Sequence, residues 1–376
     1  MPPSTYVPAL HTASRLHQQL SNYEVPEGTR VGTIPAEPDI FRLIDAAFWA
    51  SLRREEVYTP RISMAYVAPE QTKYSIRFTT PIALAPKDLT KVAAAVERSG
   101  LHLCIWPQGP NGELQAWGIS RSLPPLCLLV EVILPGLLVA KVSPLQESGK
   151  FLNVAVLQGD DVKIIDPMAS AAPHSTGLLS SLLRLESQFA TGSVVNVLLQ
   201  MAVSMRAHGR GGILLVVPPG SEDWKESMLQ PMTYQVTPPF SGLGDLMRKD
   251  TGTPSRSWEN AMARAVDGLA GLTAVDGATA ITADYDLLAF GAKVVRRPGA
   301  QTVTTVVVTE PVEGGRPQYM EPAELGGTRH LAAAQFVHDQ RDSIALVASQ
   351  EGRFTVFAWS PVEGMVHCHR IDVLLM

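Results

Sequence analysis

The run Ile213-Leu214-Leu215-Val216-Val217 restricts most strongly what this chain can become. It is continuously apolar and rich in β-branched residues, the pattern of a strand buried on both faces rather than one alternating between core and water. The turn His208-Gly209-Arg210-Gly211-Gly212 feeds it from an apolar stretch, Leu178 to His208, read as a helix through Leu182, Leu185, Phe189, Leu198 and Val203, with a break near Gly192. The glycine turn reads as a helix-to-strand connector, with phosphate binding as the alternative, because glycine lets a backbone approach a ligand closely.

The same alternation continues downstream. Trp258 to Gly271 has helical spacing, and Thr273 to Ile281, the turn Asp284-Tyr285-Asp286 and Leu287 to Val295 read as strand, turn and strand. Val303 to Thr309 is a further strand, His330 to His338 a helix, Ser343 to Ala348 and Phe354 to Trp359 strands joined by a tight turn at Ser349 to Arg353, while Glu222 to Met247 reads as an irregular insertion. Strands alternating with helices around polar turns predict an α/β domain over 177–376.

Upstream, short alternating segments predict an α+β domain over 39–170. It opens on a helix from Ile40 to Glu55 with Phe41, Ile44, Phe48 and Leu52 on one face, and a second helix starts at Pro86. Strands follow the antiparallel habit: Ile62 to Val67, Tyr74 to Phe78, His102 to Trp106, Leu114 to Ile119, Leu126 to Leu134, Leu137 to Val142, and a hairpin from Phe151 to Ile165. Asn111-Gly112 suits a hairpin turn. Trp49, Trp106 and Trp117 read as core, with a ligand cleft as the alternative. Residues 1–38 read as a loosely attached lead-in with a short helical piece at Ser14 to Leu20, and Ala169 to Thr176 as the boundary between domains.

A chain of 376 residues exceeds what one core usually fills, which agrees with two domains. A net charge of -5 and no dense Lys/Arg run argue against a nucleic-acid partner. Cys104, Cys127 and Cys368 are too few and too far apart for a disulfide framework, so free thiols in a reducing compartment are expected. Leu123 to Val142, the most apolar window, is interrupted by prolines, Glu131 and Lys141, which argues against a membrane span; with no signal-peptide core in Met1 to Gln19, the expected location is cytoplasmic.

Two places carry candidate chemistry. In Leu325-Gly326-Gly327-Thr328-Arg329-His330, a glycine-hinged turn meets a helix start, where unpaired N–H groups and the positive end of the helix dipole attract anions. The plain alternative is a loop whose Thr328 caps the helix. In Asp276-Gly277-Ala278, a carboxylate and a glycine interrupt an apolar strand, where the Asp must be paired or bind something and the Gly permits a close approach; a structural bulge is the alternative. His367-Cys368-His369 is set aside as a metal site because consecutive strand residues point to opposite faces.

Asp276-Gly277-Ala278, followed some fifty residues later by Gly327-Thr328-Arg329-His330 and then by a strand ending in a Ser/Glu turn, resembles the diadenylate cyclase (DAC) domain. The resemblance runs from the Gly211-Gly212 strand entry to the Ser349 turn. The amino-terminal half resembles the sensor domains that precede some of these cyclases. The resemblance implies condensation of two ATP into cyclic di-AMP with loss of pyrophosphate, using Mg²⁺ or Mn²⁺. It implies that Asp276, Arg329 and His330 are catalytic, that Gly277, Ala278, Gly327, Thr328 and Ser349 bind nucleotide, and that Asp276, His330 and Glu351 hold metal. It also implies a homodimer or higher assembly, stable or transient, since two nucleotides must meet. The chain departs from the family pattern at Leu331, where a second Arg is usual, and at Gln350, where the usual Ser-Glu-Glu reads Ser349-Gln350-Glu351. Those departures keep open a second reading, a catalytically silent domain that senses ATP or a cyclic dinucleotide.

Overall fold

The computed structural model describes residues 5–23, 25, 28–55, 57–97, 100–109, 112–145, 151–166, 196–248 and 255–376. The expected boundary at Ala169 to Thr176, the turn residue Asn111 and the part of the expected helix from Leu178 to Val195 lie outside the described residues. The chain divides into two units, the first holding the described residues up to Asp166 and the second those from Asn196 to Leu375.

The first unit is built on helices α1 (Val7–Ser21), α2 (Glu37–Ser51) and α3 (Pro86–Val96). Its strands are β1 (Ser63–Tyr66), β2 (Ser75–Ala83), β3 (His102–Pro107), β4 (Leu114–Ser120), β5 (Leu128–Leu134), β6 (Leu137–Val142), β7 (Leu152–Gln158) and β8 (Asp161–Ile164). They form one sheet in the order β2-β4-β3-β1-β5-β6-β7-β8, antiparallel except for the β1–β3 pair. Alternation sorts its side chains: Met64, Tyr66, Leu103, Ile105, Leu128 and Val130 meet the helices, while Ala65, Val67, Cys104, Trp117, Cys127 and Leu129 form a cluster on the other face.

The lead-in expectation for residues 1–38 is corrected here. Helix α1 buries Ala9, Ala13, Leu16 and Leu20, a stripe at helical spacing, in the same cluster as Ile40, Leu43 and Ile44 of α2. The Tyr6 ring stacks on Phe48 at 3.7 Å, and its hydroxyl donates to the Gly159 carbonyl. The stripe is short and its residues small, so a threefold-fourfold pattern of Ala and Leu was masked by the polar residues between them. Helix α2 also begins and ends earlier than expected, which leaves Leu52 half exposed beyond its end.

The second unit contains α4 (Val197–Ala207), β9 (Gly212–Val217), β10 (Tyr234–Phe240), α5 (Gly242–Arg248), α6 (Arg256–Leu272), β11 (Ala278–Thr282), β12 (Leu287–Ala292), β13 (Val306–Thr309) and β14 (Gln318–Met320). After these come α7 (Pro322–Leu325), α8 (Thr328–Asp339), β15 (Ile344–Ala348), β16 (Phe354–Ser360) and β17 (Met365–Arg370). The sheet order is β10-β12-β11-β9-β15-β16-β17-β13-β14, mixed, with β11–β9 and β13–β17 parallel. Both units are thus mixed α/β, each with one large sheet.

Strand β9 is wholly buried, and its alternation explains why. Leu214 and Val216 join α4 and α6 in one core, while Ile213, Leu215 and Val217 join α8 in the other. Helices therefore lie on both faces of the sheet, as the apolar run required. The stretch expected to be irregular, Glu222 to Met247, instead holds β10 on the sheet edge and α5. Pro238 and Pro239 hid the strand, and an edge is where a strand tolerates proline.

Leu16→Ala is expected to destabilise the first unit by about 2–5 kcal/mol, the range for truncating a fully buried leucine. Denaturant unfolding followed by the fluorescence of the first unit's tryptophans checks it, and a loose lead-in would leave the midpoint unmoved.

Candidate functional site

Register gathers the candidate residues along one rim of the second sheet. Gly212, the first residue of β9, lies opposite Ala348, the last of β15, and Ala348 lies opposite Phe354, the first of β16. Thr355 faces Arg370 at the end of β17, and Ala278 begins β11 beside Ile213. The rim therefore runs in order from the Asp276-Gly277 turn, past Gly211, Ser349 and Arg353, to Arg370. Four strand spacings from β11 to β17 span about 19 Å of main chain.

At the carboxylate end, Asp276 and Gly277 precede β11 instead of sitting inside a strand, which corrects the expected span from Thr273. Helix α6 unwinds through Thr273, Ala274 and Val275, whose N–H groups donate to Ala270, Gly271 and Leu272. Gly277 has φ +112°, and a Cβ there would stand 2.6 Å from the Gly291 carbonyl carbon. Only glycine fits, so the close approach inferred from sequence exists, and it is to backbone. The Asp276 side chain is exposed beside this turn. The neighbouring Tyr234 and Phe290 rings stack at 4.8 Å with an interplanar angle of 2°, an aromatic pair that sequence reasoning missed.

At the glycine turn, Gly327 occupies the cap position of α8 and no side chain caps the helix. Thr328 is its first residue and is exposed, so the capping alternative fails and the leading N–H groups keep no side-chain partner. Arg329 reaches across to the opposing turn: a Cβ on Gly211 would lie 3.0 Å from Arg329 Nη1 and 3.2 Å from the Ala348 oxygen. The 208–212 turn is thus part of the site as well as a connector.

His330 is 4% exposed. Its ring packs edge-on to Phe357 at 6.0 Å and lies against Gly326, where a Cβ would be 2.6 Å from Nδ1. Burial, then the Arg370, Arg353 and Arg329 guanidiniums, hold its pKa down at about 4, so the ring is neutral near pH 7. Arg353 and Arg370 were missed from sequence. Both belong to the face of the sheet that α8 covers, as do Phe357, Val366 and Cys368.

The Ser349 turn is held internally. Ser349 Oγ accepts from the Arg353 N–H at 3.0 Å, and the Ser349 N–H donates to the Arg353 carbonyl at 2.9 Å. Gln350 Nε2 donates to the Arg210 carbonyl at 3.3 Å, tying this turn to the glycine turn. A carboxylate has no proton to give that carbonyl, which supplies a physical reason for an amide at 350.

The expected metal set of Asp276, His330 and Glu351 is not gathered. Glu351 is 79% exposed and lies 4.0 Å from Arg353 Nε, and His330 is ringed by cations. Among the described residues, no group of three or more His, Cys, Asp and Glu side chains is placed to hold a metal. An exposed carboxylate such as that of Asp276 suits a divalent ion that takes most of its oxygens elsewhere, since Mg²⁺ commonly takes one or two carboxylates from protein.

His367 and His369, two apart on β17, share a face with ring centroids 5.9 Å apart, while Cys368 joins the α8-side core. His369 Nδ1 bonds Thr309 Oγ1 at 2.7 Å, and His367 Nε2 lies 3.2 Å from Glu363. The three cysteines are free and buried. Burial pushes the Cys104 thiol up to about 12 and the other two higher still, which keeps them unreactive. Among the described residues, no helix is long and apolar enough to cross a membrane.

In the first unit, Trp117 is core, with Nε1 donating to the Val67 carbonyl at 2.8 Å, and Trp106 packs on Tyr66. Trp49 differs, lining a cleft of about 970 Å³ with Phe41, Arg53 and Lys87.

Residues 29–121 match the model of a family described as a probable sensor domain, DACNV, the amino-terminal sensor domain of DAC proteins. The match spans α2 to β4. No curated protein matches the chain.

Because His330 titrates at about 4 when folded and near 6.5 when unfolded, the unfolded chain binds more protons between those values. Stability of the second unit should therefore rise with pH from about 4 to 6.5 and fall on acidification through that window. His330→Gln should flatten the rise in part, the remainder belonging to His369, held at about 3 by burial and by His367, and to His208, lowered by burial and by Arg210. Urea unfolding at a series of pH values checks the slope.

Proposed function

We propose that the second unit is a diadenylate cyclase that joins two ATP into cyclic di-AMP, governed by the sensor domain ahead of it. The observation that carries this reading is the common rim: the Asp276-Gly277-Ala278 turn and the Gly327-Thr328-Arg329-His330 helix start, fifty residues apart in sequence, open on the same end of one sheet. The sensor-domain match at residues 29–121 supports it independently.

In each half-reaction, the 3′-oxygen of one ATP forms a bond to the α-phosphorus of the other. The α–β phosphoanhydride bond breaks, pyrophosphate leaves, and the hydroxyl proton passes to a base or to solvent. Two such steps close the ring and release two pyrophosphates. Chemistry of this kind asks mainly for alignment and charge neutralisation. The exposed Asp276 carboxylate accepts a hydrogen bond from the attacking hydroxyl. The Tyr234–Phe290 pair offers a stacking surface for the adenine beside it. Arg329, with the free N–H groups at Gly327 and Thr328, binds phosphate oxygens, and neutral His330 can donate one hydrogen bond without adding charge. Mg²⁺ or Mn²⁺ bound to the nucleotide would supply further neutralisation of the phosphates.

Leu331 and the ungathered metal set favour the second reading, a domain that binds ATP or a cyclic dinucleotide without turnover. Incubating the protein with ATP and Mg²⁺ or Mn²⁺ and weighing the product separates the two. Cyclic di-AMP is expected from the wild type, with its rate reduced at least a hundredfold in Asp276→Asn that keeps the wild-type melting curve; nucleotide binding without product would leave only the sensor reading.

One rim holds one nucleotide, so two chains must meet face to face, and a twofold pair does this naturally. Specific activity is expected to climb with protein concentration until the pair saturates. Adding Asp276→Asn chains to wild type should lower activity beyond dilution. Activity per chain that stays constant where light scattering sees only monomer would exclude the shared site.

A further inference from the structure

The far end of the rim carries more positive charge than the helix start explains. The side chains of Arg329 and Arg370, both half-buried residues, have no hydrogen-bond or ion-pair partner among the described residues, and the Arg353 side chain has only the exposed Glu351 at 4.0 Å. All three guanidiniums act electrostatically on one imidazole that is 4% exposed, and its ring nitrogens likewise have no hydrogen-bond partner among the described residues. Half-buried cations such as Arg329 and Arg370, left without a counter-charge, cost free energy. An anion seated there supplies that charge and accepts a hydrogen bond from the ring. The fold brings these groups to one face through three elements: α8 presents Arg329 and His330, the turn leading into β16 carries Arg353, and the last residue of β17 is Arg370, opposite Thr355.

Direction along the rim narrows the anion. Asp276 stands at β11, Arg329 lies over Gly211 at the head of β9, and Arg370 stands three strands beyond β9. A nucleotide whose reacting end sits at Asp276 extends its phosphate chain toward Arg353 and Arg370. Leu331, 41% exposed, contributes no charge on the helix side.

We propose that Arg329, Arg353 and Arg370 close a pocket around His330 for the terminal phosphate of a nucleoside triphosphate, with Arg353 and Arg370 supplying from the sheet the charge that α8 lacks at Leu331. The pocket rests on the nucleotide reading for its occupant and makes the site selective for triphosphates and, after reaction, for the departing pyrophosphate. It needs no metal, because the guanidiniums bind phosphate oxygens directly and in fork geometry.

The test is calorimetry of the full chain with inorganic tripolyphosphate, ATP and AMP in the presence of EDTA. Tripolyphosphate and ATP are expected to bind the wild type. Arg370→Gln and Arg353→Gln should each weaken both at least tenfold while AMP binding is unchanged, and Arg370→Lys should recover part of the loss. Arg353 is 59% exposed in a turn, so its variant keeps the test open if Arg370→Gln fails to fold. Equal tripolyphosphate affinity in wild type and Arg353→Gln overturns the pocket, and so does a wild type that binds no tripolyphosphate. Product formation with unchanged binding in both variants removes the pocket and leaves the cyclase. Tripolyphosphate binding without product keeps the pocket and removes the cyclase.

Discussion

The antiparallel pairing of β9 with β15, Gly212 opposite Ala348, is the contact on which the rest of the second unit depends. It places a fully apolar strand at the centre of a nine-stranded sheet, so both faces must be covered, and helices α4 and α6 on one side and α8 on the other do so. The same pairing sets the glycine turn at 208–212 beside the turn at 349–353. Gly212 is required there for a second reason: a Cβ would meet the Thr273 oxygen at 2.5 Å, so the end of α6 rests directly on the start of β9. Burial of the strand and assembly of the rim are one event.

Much of this was legible in the residues. The continuous apolar run announced a buried strand, and the turn at Gly326 and Gly327 announced a helix start suited to anions, because both signals are local. Other elements were less legible: β10 contains two prolines and α1 a short stripe of two alanines and two leucines, so packing, rather than local preference, decides their structure. Arg353 and Arg370 could not be seen as part of the site, since seventeen residues and a hairpin register bring them to the same face. A cation's role in a sheet is written in pairing partners, which sequence spacing alone does not express.

The assembled rim also separates two tasks by electrostatics. At one end stands a carboxylate beside an aromatic pair, at the other a set of guanidiniums around a neutral imidazole. The imidazole remains neutral because the cations and burial both oppose its protonation, so the positive charge of the site is carried by groups that do not titrate near neutrality. The protein's share of the charge in the proposed pocket therefore stays constant between pH 6 and 8, where a histidine that titrated there would have lost its own.

Gly277 presses on the Gly291 main chain where no Cβ fits, Gly291 holds a left-handed φ of +59°, and Asp276 sits on the main chain they lock. Its carboxylate is therefore placed by backbone geometry, with no packed side chains to steer it. Robustness to change around it is accordingly uneven. Side chains lining the turn can drift over many generations without moving the acid, whereas position 277 admits almost no alternative and position 291 disfavours one through its positive φ. Variation at this end of the rim should accumulate around a nearly immobile pair of glycines.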